Sequence, residues 1–250
     1  MNSSDVIRET NAQPVAQIVL NAFGIGINWK RKAPMVVTKR IYEANVLFGV
    51  AVNSAASIQA PVRAGGQLNA LVSLVFSAIS VEAFLNEAAG MAVGFAEYAG
   101  EPQEIAVFAK RMADAEEAHE SFESKLALAY ESLGEKLNKG VQPYQDFSLI
   151  VGLRNALVHF KGNERFDPKA TPEEFHKDLI KKFGRNKRLL AEDMEPGSWI
   201  HAIETKAIAN WSCKTAARVV VEFVSKAPQG VWRSFLEGIH SHFKPYASSS

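Results

Sequence analysis

Three polar residues within one largely apolar segment, Arg154, Asn155 and His159, have side chains suited to chemistry on a phosphate ester. A histidine side chain exchanges protons near neutral pH, and a guanidinium stabilises negative charge that develops on phosphate oxygens. Asn155 and His159 are four residues apart, so on a helix they are neighbours on one face. Arg154 lies about 140° from His159 on an ideal helix, so it needs side-chain reach, a second segment or a second chain to join them.

The same residues also have an ordinary structural interpretation. His159 lies near the end of a helix predicted over residues 144–162, where a protonated imidazole interacts favourably with the helix dipole. The spacing of the residues alone favours this structural role at the helix end for His159. Arg154, taken by itself, is typical of an arginine on a protein surface. The predicted core stripe of this helix consists of Leu149, Ile150, Leu153, Ala156, Leu157 and Phe160.

A carboxylate within an apolar helix is the second chemical feature. Residues 67–99 form the strongest predicted helix, and Glu82 falls at the centre of its apolar stripe, within about 20° of Leu71. A carboxylate in that position needs a cation or several hydrogen-bond donors. Arg154 is the natural candidate, because a guanidinium pairs with a carboxylate through parallel hydrogen bonds. The pair either fixes how two helices pack or, in addition, orients the arginine toward a substrate phosphate.

The composition limits the classes of function. Among 250 residues, 28 lysines and arginines face 27 acidic residues, so nucleic-acid binding would require a local site. The single cysteine, Cys213, excludes an intrachain disulfide and fits a reducing, cytoplasmic setting. No metal site and no cofactor are expected, since no ligand cluster or phosphate-binding loop is evident. No membrane span is expected, because the most apolar stretch, residues 68–81, is shorter than about 20 residues.

The periodicity of apolar residues predicts an all-α fold, a helical bundle of about four to five core helices with additional N-terminal and C-terminal helices. The predicted domain organisation is a partly helical N-terminal extension over residues 1–65, a helical domain over residues 66–245 and a tail over residues 246–250. Within the domain, residues 102–138 are predicted to form one long helix or a bent pair. Thr171 is the predicted N-cap of a short helix, and residues 198–226 are predicted as one amphipathic helix.

The segment RNALVHF, together with the upstream helix AISVEAFLNEAA, resembles the HEPN superfamily of helical domains. The resemblance covers roughly residues 67–162. It implies a small, usually dimeric bundle in which two copies of the motif meet across the interface. The sequence lacks the tyrosine two residues after the histidine that one toxin branch of the family carries.

In active members of that family the arginine, the following polar residue and the histidine form a metal-independent ribonuclease site. The resemblance therefore implies that Arg154, Asn155 and His159 are catalytic residues that cleave RNA by 2′-hydroxyl attack, with Glu82 in support. His159 would act as acid or base, Arg154 would stabilise the phosphate, and Asn155 would position the phosphate or the histidine. The expected partners are RNA, a second copy of the chain and, for a toxin or defence component, an antitoxin or inhibitor protein.

The basic run KKFGRNKR, residues 181–188, is either an RNA-contacting loop or an ordinary solvated connection. The candidate substrate-binding residues are Lys161, Arg185, Lys187 and Arg188. Two alternatives to an endoribonuclease stay open. One is a non-catalytic domain of the same fold that binds a partner or a nucleotide, which the near-neutral charge favours. The other is an unrelated helical protein with a chance motif, which a structure with Glu82 and Arg154 far apart, on helices that do not pack, would favour.

Overall fold

The computed structural model describes residues 43–59, 68–96, 101–159, 171, 174, 176–192, 194 and 198–248. All of them fall in one unit of the chain, Tyr42–Ser250. Most of the predicted N-terminal extension, residues 1–65, and the candidate residue Lys161 lie outside the described residues. The boundary at residues 65 and 66 stays a prediction.

Every regular element within the described ranges is helical, which confirms the predicted all-α class. In chain order the α-helices, numbered α1 to α10, are Glu43–Ala56, Leu68–Phe95, Gln103–Glu117, Phe122–Ser132, Tyr144–Val158, Lys177–Phe183, Trp199–Ile203, Lys206–Lys226, Val231–Ile239 and Lys244–Ser248. Two 3-10 turns, Gly184–Leu189 and Ser241–Phe243, follow α6 and α9.

The long helix α2 is the centre of the bundle. It packs against α1, α3, α5, α8 and α9. Its fully buried positions recur at intervals of three and four residues, as in Leu74, Ala78, Val81, Leu85 and Ala88. This spacing places one continuous apolar stripe along the helix, and α1 and α8 cover it.

The core around α2 is aromatic. Phe223 of α8 lies 5.5 Å from Phe84 of α2, 5.9 Å from Phe108 of α3 and 5.6 Å from Tyr130 of α4, measured between ring centroids. Such tilted and edge-on ring pairs add to the stabilisation that burial already supplies. One ring on α8 therefore joins three other helices into a common core.

Side-chain caps explain several helix starts. Ser121 accepts a hydrogen bond from the backbone N–H of Ser124, so residues 102–138 form the bent pair α3 and α4. Thr205 accepts from the N–H of Ile208, and residues 198–226 therefore divide into α7 and α8 instead of one helix. Thr171 and Glu174 bond each other reciprocally as a capping box, which confirms Thr171 as an N-cap.

Two termini of predicted elements differ from the structure. The helix predicted over residues 144–162 ends at Val158, and His159 is its C-cap. Tyr246, assigned by sequence to a tail, lies in α10, where its ring packs edge-on against Phe48 at 5.3 Å. The pairing with Phe48 shows why the chain stays helical there: the last aromatic residue has a core ring to cover.

Within the described residues, α2 is the one helix long and apolar enough to cross a membrane. The whole helix has 28 residues, so the short apolar stretch at residues 68–81 does not by itself rule out a span. Half of its most apolar window is buried inside the bundle. That arrangement is the one found in the core helix of a soluble protein.

Candidate functional site

The helix α5 presents the three candidate catalytic residues, and its buried side differs from the predicted stripe. Taking Phe147 as zero on a helical wheel, Tyr144, Ile150 and Val151 lie within about 60° of it, and all four side chains are buried. Arg154 lies about 20° from Phe147, near the centre of this face. Ala156, predicted as core, is exposed. In the last turn of α5, the apolar residues Ala156 and Val158 are exposed.

The position of Arg154 explains its contact with α2. Its Nη2 donates a hydrogen bond to Oε2 of Glu82 at 2.8 Å, and this contact confirms the predicted pair. The wide separation of Glu82 and Arg154 that would have favoured a chance motif is not what the structure has. The side chain of Arg154 is 28% exposed and that of Glu82 is 33% exposed. Glu82 therefore lies on the flank of the apolar stripe of α2, about 80° from Leu74, and its predicted place at the centre is wrong.

Asn155 completes a local cluster with this ion pair. Nη1 of Arg154 donates a hydrogen bond to Oδ1 of Asn155 at 2.9 Å. Glu82 and Asn155 together engage two of the five N–H donors of the guanidinium, and no other described residue engages the remaining three. Among the described residues, Glu82 and Asn155 thus hold the arginine in place. Partial exposure of the ion pair keeps its contribution to stability to at most about 1 kcal/mol.

His159 stands apart from that cluster. Its backbone N–H bonds to the carbonyl of Asn155 at 2.9 Å, and its side chain is exposed. The imidazole forms no hydrogen bond or ion pair with any residue that the structure describes. One chain therefore brings Arg154, Asn155 and Glu82 together and presents His159 separately, about 140° around the helix from Arg154.

The basic 3-10 turn after α6 is attached to α5. Arg185 donates a hydrogen bond from Nη2 to Oε1 of Gln145 at 3.0 Å and lies 3.9 Å from Oδ1 of Asp146. Asp146 is only 14% exposed at its side chain and also accepts from Asn186 and from the indole of Trp211. These bonds fix the turn against the first half of α5. The 3-10 turn Gly184–Leu189 is therefore held against α5, the helix that carries the candidate site.

Of the other candidate substrate-binding residues, Lys187 and Arg188 have exposed side chains on the same turn. The structure adds a residue that the sequence did not single out. The Nζ atom of Lys182 lies 3.4 Å from the point where a Cβ would stand on Gly152 of α5. The only sequence signal was membership of the basic run, because the proximity arises from the tertiary fold.

Metal chemistry has no obvious support among the described residues. They contain no group of three or more histidine, cysteine, aspartate or glutamate side chains that could hold an ion. Glu116, which forms a Glu-x-x-His pattern with His119, is ion-paired with Lys125. Cys213 is buried as expected for a small core residue: it contacts Ser73 at 3.2 Å, and burial raises the pKa of its thiol.

The fold and the site define a class of protein: an all-α bundle in which helix α5 carries a hydrogen-bonded Arg–Asn pair and an exposed histidine. No family model, curated protein or solved structure matches the chain. The resemblance to the HEPN superfamily rests on the residues quoted above.

Proposed function

We propose that this protein is a metal-independent endoribonuclease of the HEPN type. The observation that carries the proposal is the Arg154 guanidinium, held by Glu82 and Asn155 with three donors still unengaged by described residues. A preorganised cation at a partly open surface suits the stabilisation of charge on a phosphate in the transition state. The exposed imidazole of His159 on the same helix supplies a group that can transfer protons.

In the proposed reaction the ribose 2′-oxygen attacks the adjacent phosphorus, and the bond from phosphorus to the 5′-oxygen breaks. His159 accepts the 2′-hydroxyl proton or donates a proton to the departing 5′-oxygen. Arg154 neutralises the charge on the non-bridging oxygens, and Asn155 positions the arginine and the phosphate. The products are a 2′,3′-cyclic phosphate and a 5′-hydroxyl, and no metal takes part.

The separation between Arg154 and His159 supports a homodimer as the active form. On one helix the two side chains diverge by about 140°, so a second copy would bring the arginine of one chain toward the histidine of the other. Val158, one turn beyond Arg154, is 61% exposed and offers apolar surface for such a contact. A cytoplasmic toxin or defence protein, controlled by an inhibitor or antitoxin, is the biological setting that we propose.

Incubation of purified protein with RNA in excess EDTA tests the activity. Cleavage that leaves cyclic phosphate ends supports the proposal, and cleavage that stops when metal is removed contradicts it. A second candidate is a non-catalytic binding module, which the engagement of Arg154 with Glu82 favours because such a pair also serves helix packing. Tight nucleotide or partner binding without RNA turnover would select this candidate.

A further inference from the structure

The ammonium group of Lys182 lies against α5 at Gly152. Nζ and Cε of Lys182 are 3.4 and 3.8 Å from the point where a Cβ would stand on Gly152. Lys182 is the next-to-last residue of α6, and Phe183 beside it is buried 6.1 Å from the ring of Trp211. The anchored phenylalanine holds the end of α6 in place, so the lysine projects along α5 from a fixed point.

Gly152 shares a face of α5 with His159, whereas Arg154 lies about 160° around the helix from Gly152. His159 is seven residues further on, which corresponds to about 20° around the helix and about 10.5 Å along its axis. Asn155 lies between them, about 60° from Gly152. At a rise of about 3.4 Å per nucleotide, the axial separation of about 10.5 Å between Gly152 and His159 corresponds to about three nucleotides. Lys182 is therefore on the path of an RNA strand that reaches His159 along this face.

The charges around Lys182 leave it available to an anion. It forms no ion pair with a described residue, and its side chain is exposed. Two acidic residues at α5 already accept hydrogen bonds: Asp146 from Asn186 and Trp211, and Glu123 from Ser148 of α5. Arg185 is tied to the same helix by Gln145 and is 62% exposed at its side chain. Two cations on one short segment, Lys182 and Arg185, thus flank α5.

We propose that Lys182, assisted by Arg185, is a positioning residue that binds a phosphate of the RNA backbone within about three nucleotides of the scissile bond. The inference rests on the proposed function, because it takes RNA as the ligand of the α5 face. Lys182 does not touch the reacting phosphate. Its contribution is to the affinity and register of the strand, since phosphate contacts position a nucleic acid without reading its sequence.

The test measures binding of a fluorescent single-stranded RNA to the full chain carrying His159→Ala, which removes turnover. Lys182→Gln and Lys182→Arg are compared with Lys136→Gln as the matched control. Lys136 is exposed next to Glu135, which pairs with Lys226. Trp211, beside the basic turn, lies fifteen residues from Lys226 on α8, about 22 Å along the helix axis. The control therefore removes the same charge far from the proposed contact.

We expect Lys182→Gln to weaken binding about fourfold at 0.15 M salt and to lower the slope of log affinity against log salt by about 0.7, the loss of one phosphate contact. Lys182→Arg and Lys136→Gln should bind as the parent does. Equal affinity and slope for Lys182→Gln and Lys136→Gln would overturn the inference, as would the absence of RNA binding by the parent.

Cleavage by chains that retain His159 separates the two proposals. With active protein, Lys182→Gln should raise KM and leave kcat nearly unchanged, because the contact acts on the strand and not on the reacting phosphate. Binding that depends on Lys182 without any cleavage would sink the proposed activity and keep the phosphate contact. Cleavage by Lys182→Gln with an unchanged KM would contradict the phosphate contact and keep the proposed activity.

Discussion

Arg154 on α5 is bonded to Glu82 on α2 across 2.8 Å, and the same guanidinium bonds Asn155 beside it. The ion pair joins the central helix of the bundle to the helix that carries the candidate site. Its geometry joins the two helices, and under the proposed function it also orients the cation toward a ligand. The two roles make different demands on stability and on activity, and they can be measured separately.

A double-mutant cycle with Glu82→Gln and Arg154→Gln measures the energy of that pair. We expect a coupling of about 0.5–1 kcal/mol in urea unfolding, because both side chains are about one-third exposed. The exposed pair Lys110–Asp114 on α3 is the matched control, with an expected coupling of about 0.3 kcal/mol. If the pair also orients the arginine, Glu82→Gln lowers RNA cleavage by much more than its effect on folding explains. Full activity in Glu82→Gln would assign the pair to packing alone.

Burial of His240 predicts a dependence of stability on pH. Its ring is buried edge-on against Phe84, neither ring nitrogen has a hydrogen-bond partner among the described residues, and burial lowers the pKa to about 4. The unfolded chain takes up a proton near pH 6.5, whereas the native state does not until about pH 4. The free energy of unfolding therefore falls as pH decreases through this window, by about 3 kcal/mol at most.

Urea unfolding at several pH values between 6.5 and 4 tests that dependence, with His240→Gln as the comparison. Burial raises the pKa of the neighbouring Glu87 carboxyl, and this has the opposite effect: its contribution to stability is present at low pH and is lost as pH rises through the raised value. Oε2 of Glu87 lies 3.8 Å from Nε2 of His240, so the difference between the two proteins reports on His240 together with its effect on Glu87. Identical pH profiles for the two proteins would show that His240 is protonated equally in both states.

Two glycines predict opposite effects of the same substitution. A Cβ on Gly230 would lie 2.7 Å from Oε2 of Glu101, whose Oε1 accepts a hydrogen bond from the N–H of Val231 at the start of α9. Gly230→Ala should displace this cap and lower stability by about 1–2 kcal/mol. Gly49, inside α1, has open space around its Cβ position, so Gly49→Ala should raise stability by about 0.5–1 kcal/mol. Thermal unfolding of both variants checks the signs. Equal shifts in the same direction would contradict the close contact at Gly230.

The sequence was sufficient for the helices whose apolar spacing is regular and whose ends carry their own signals. The extent of α2 and the capping residue Thr171 belong to this class, because the information is local. The predicted buried face of α5 was wrong in part. The predicted stripe was centred on Leu153, which is buried, whereas Ala156 is exposed and Arg154 occupies the packed face because Glu82 offers it a carboxylate.

In the candidate site too, some contacts could be predicted from the sequence and others could not. The pairing of Glu82 with Arg154 was predictable, since a carboxylate on a largely apolar helix requires a cation and few were at hand. The approach of Lys182 to Gly152 was not, because the two residues are thirty positions apart and nothing in either segment encodes the other. Local patterns therefore indicated the candidate trio, and only the fold revealed that Lys182 lies against α5.

The central claim is that His159 takes part in cleaving RNA without a metal. The most direct measurement compares the rate of RNA cleavage in EDTA by the parent protein and by His159→Ala, with His242→Ala as a control for an exposed histidine elsewhere on the chain. The proposal predicts a loss of at least about 100-fold for His159→Ala, the usual contribution of a general acid or base, and no loss for the control. Cleavage by His159→Ala at the parent rate would contradict it.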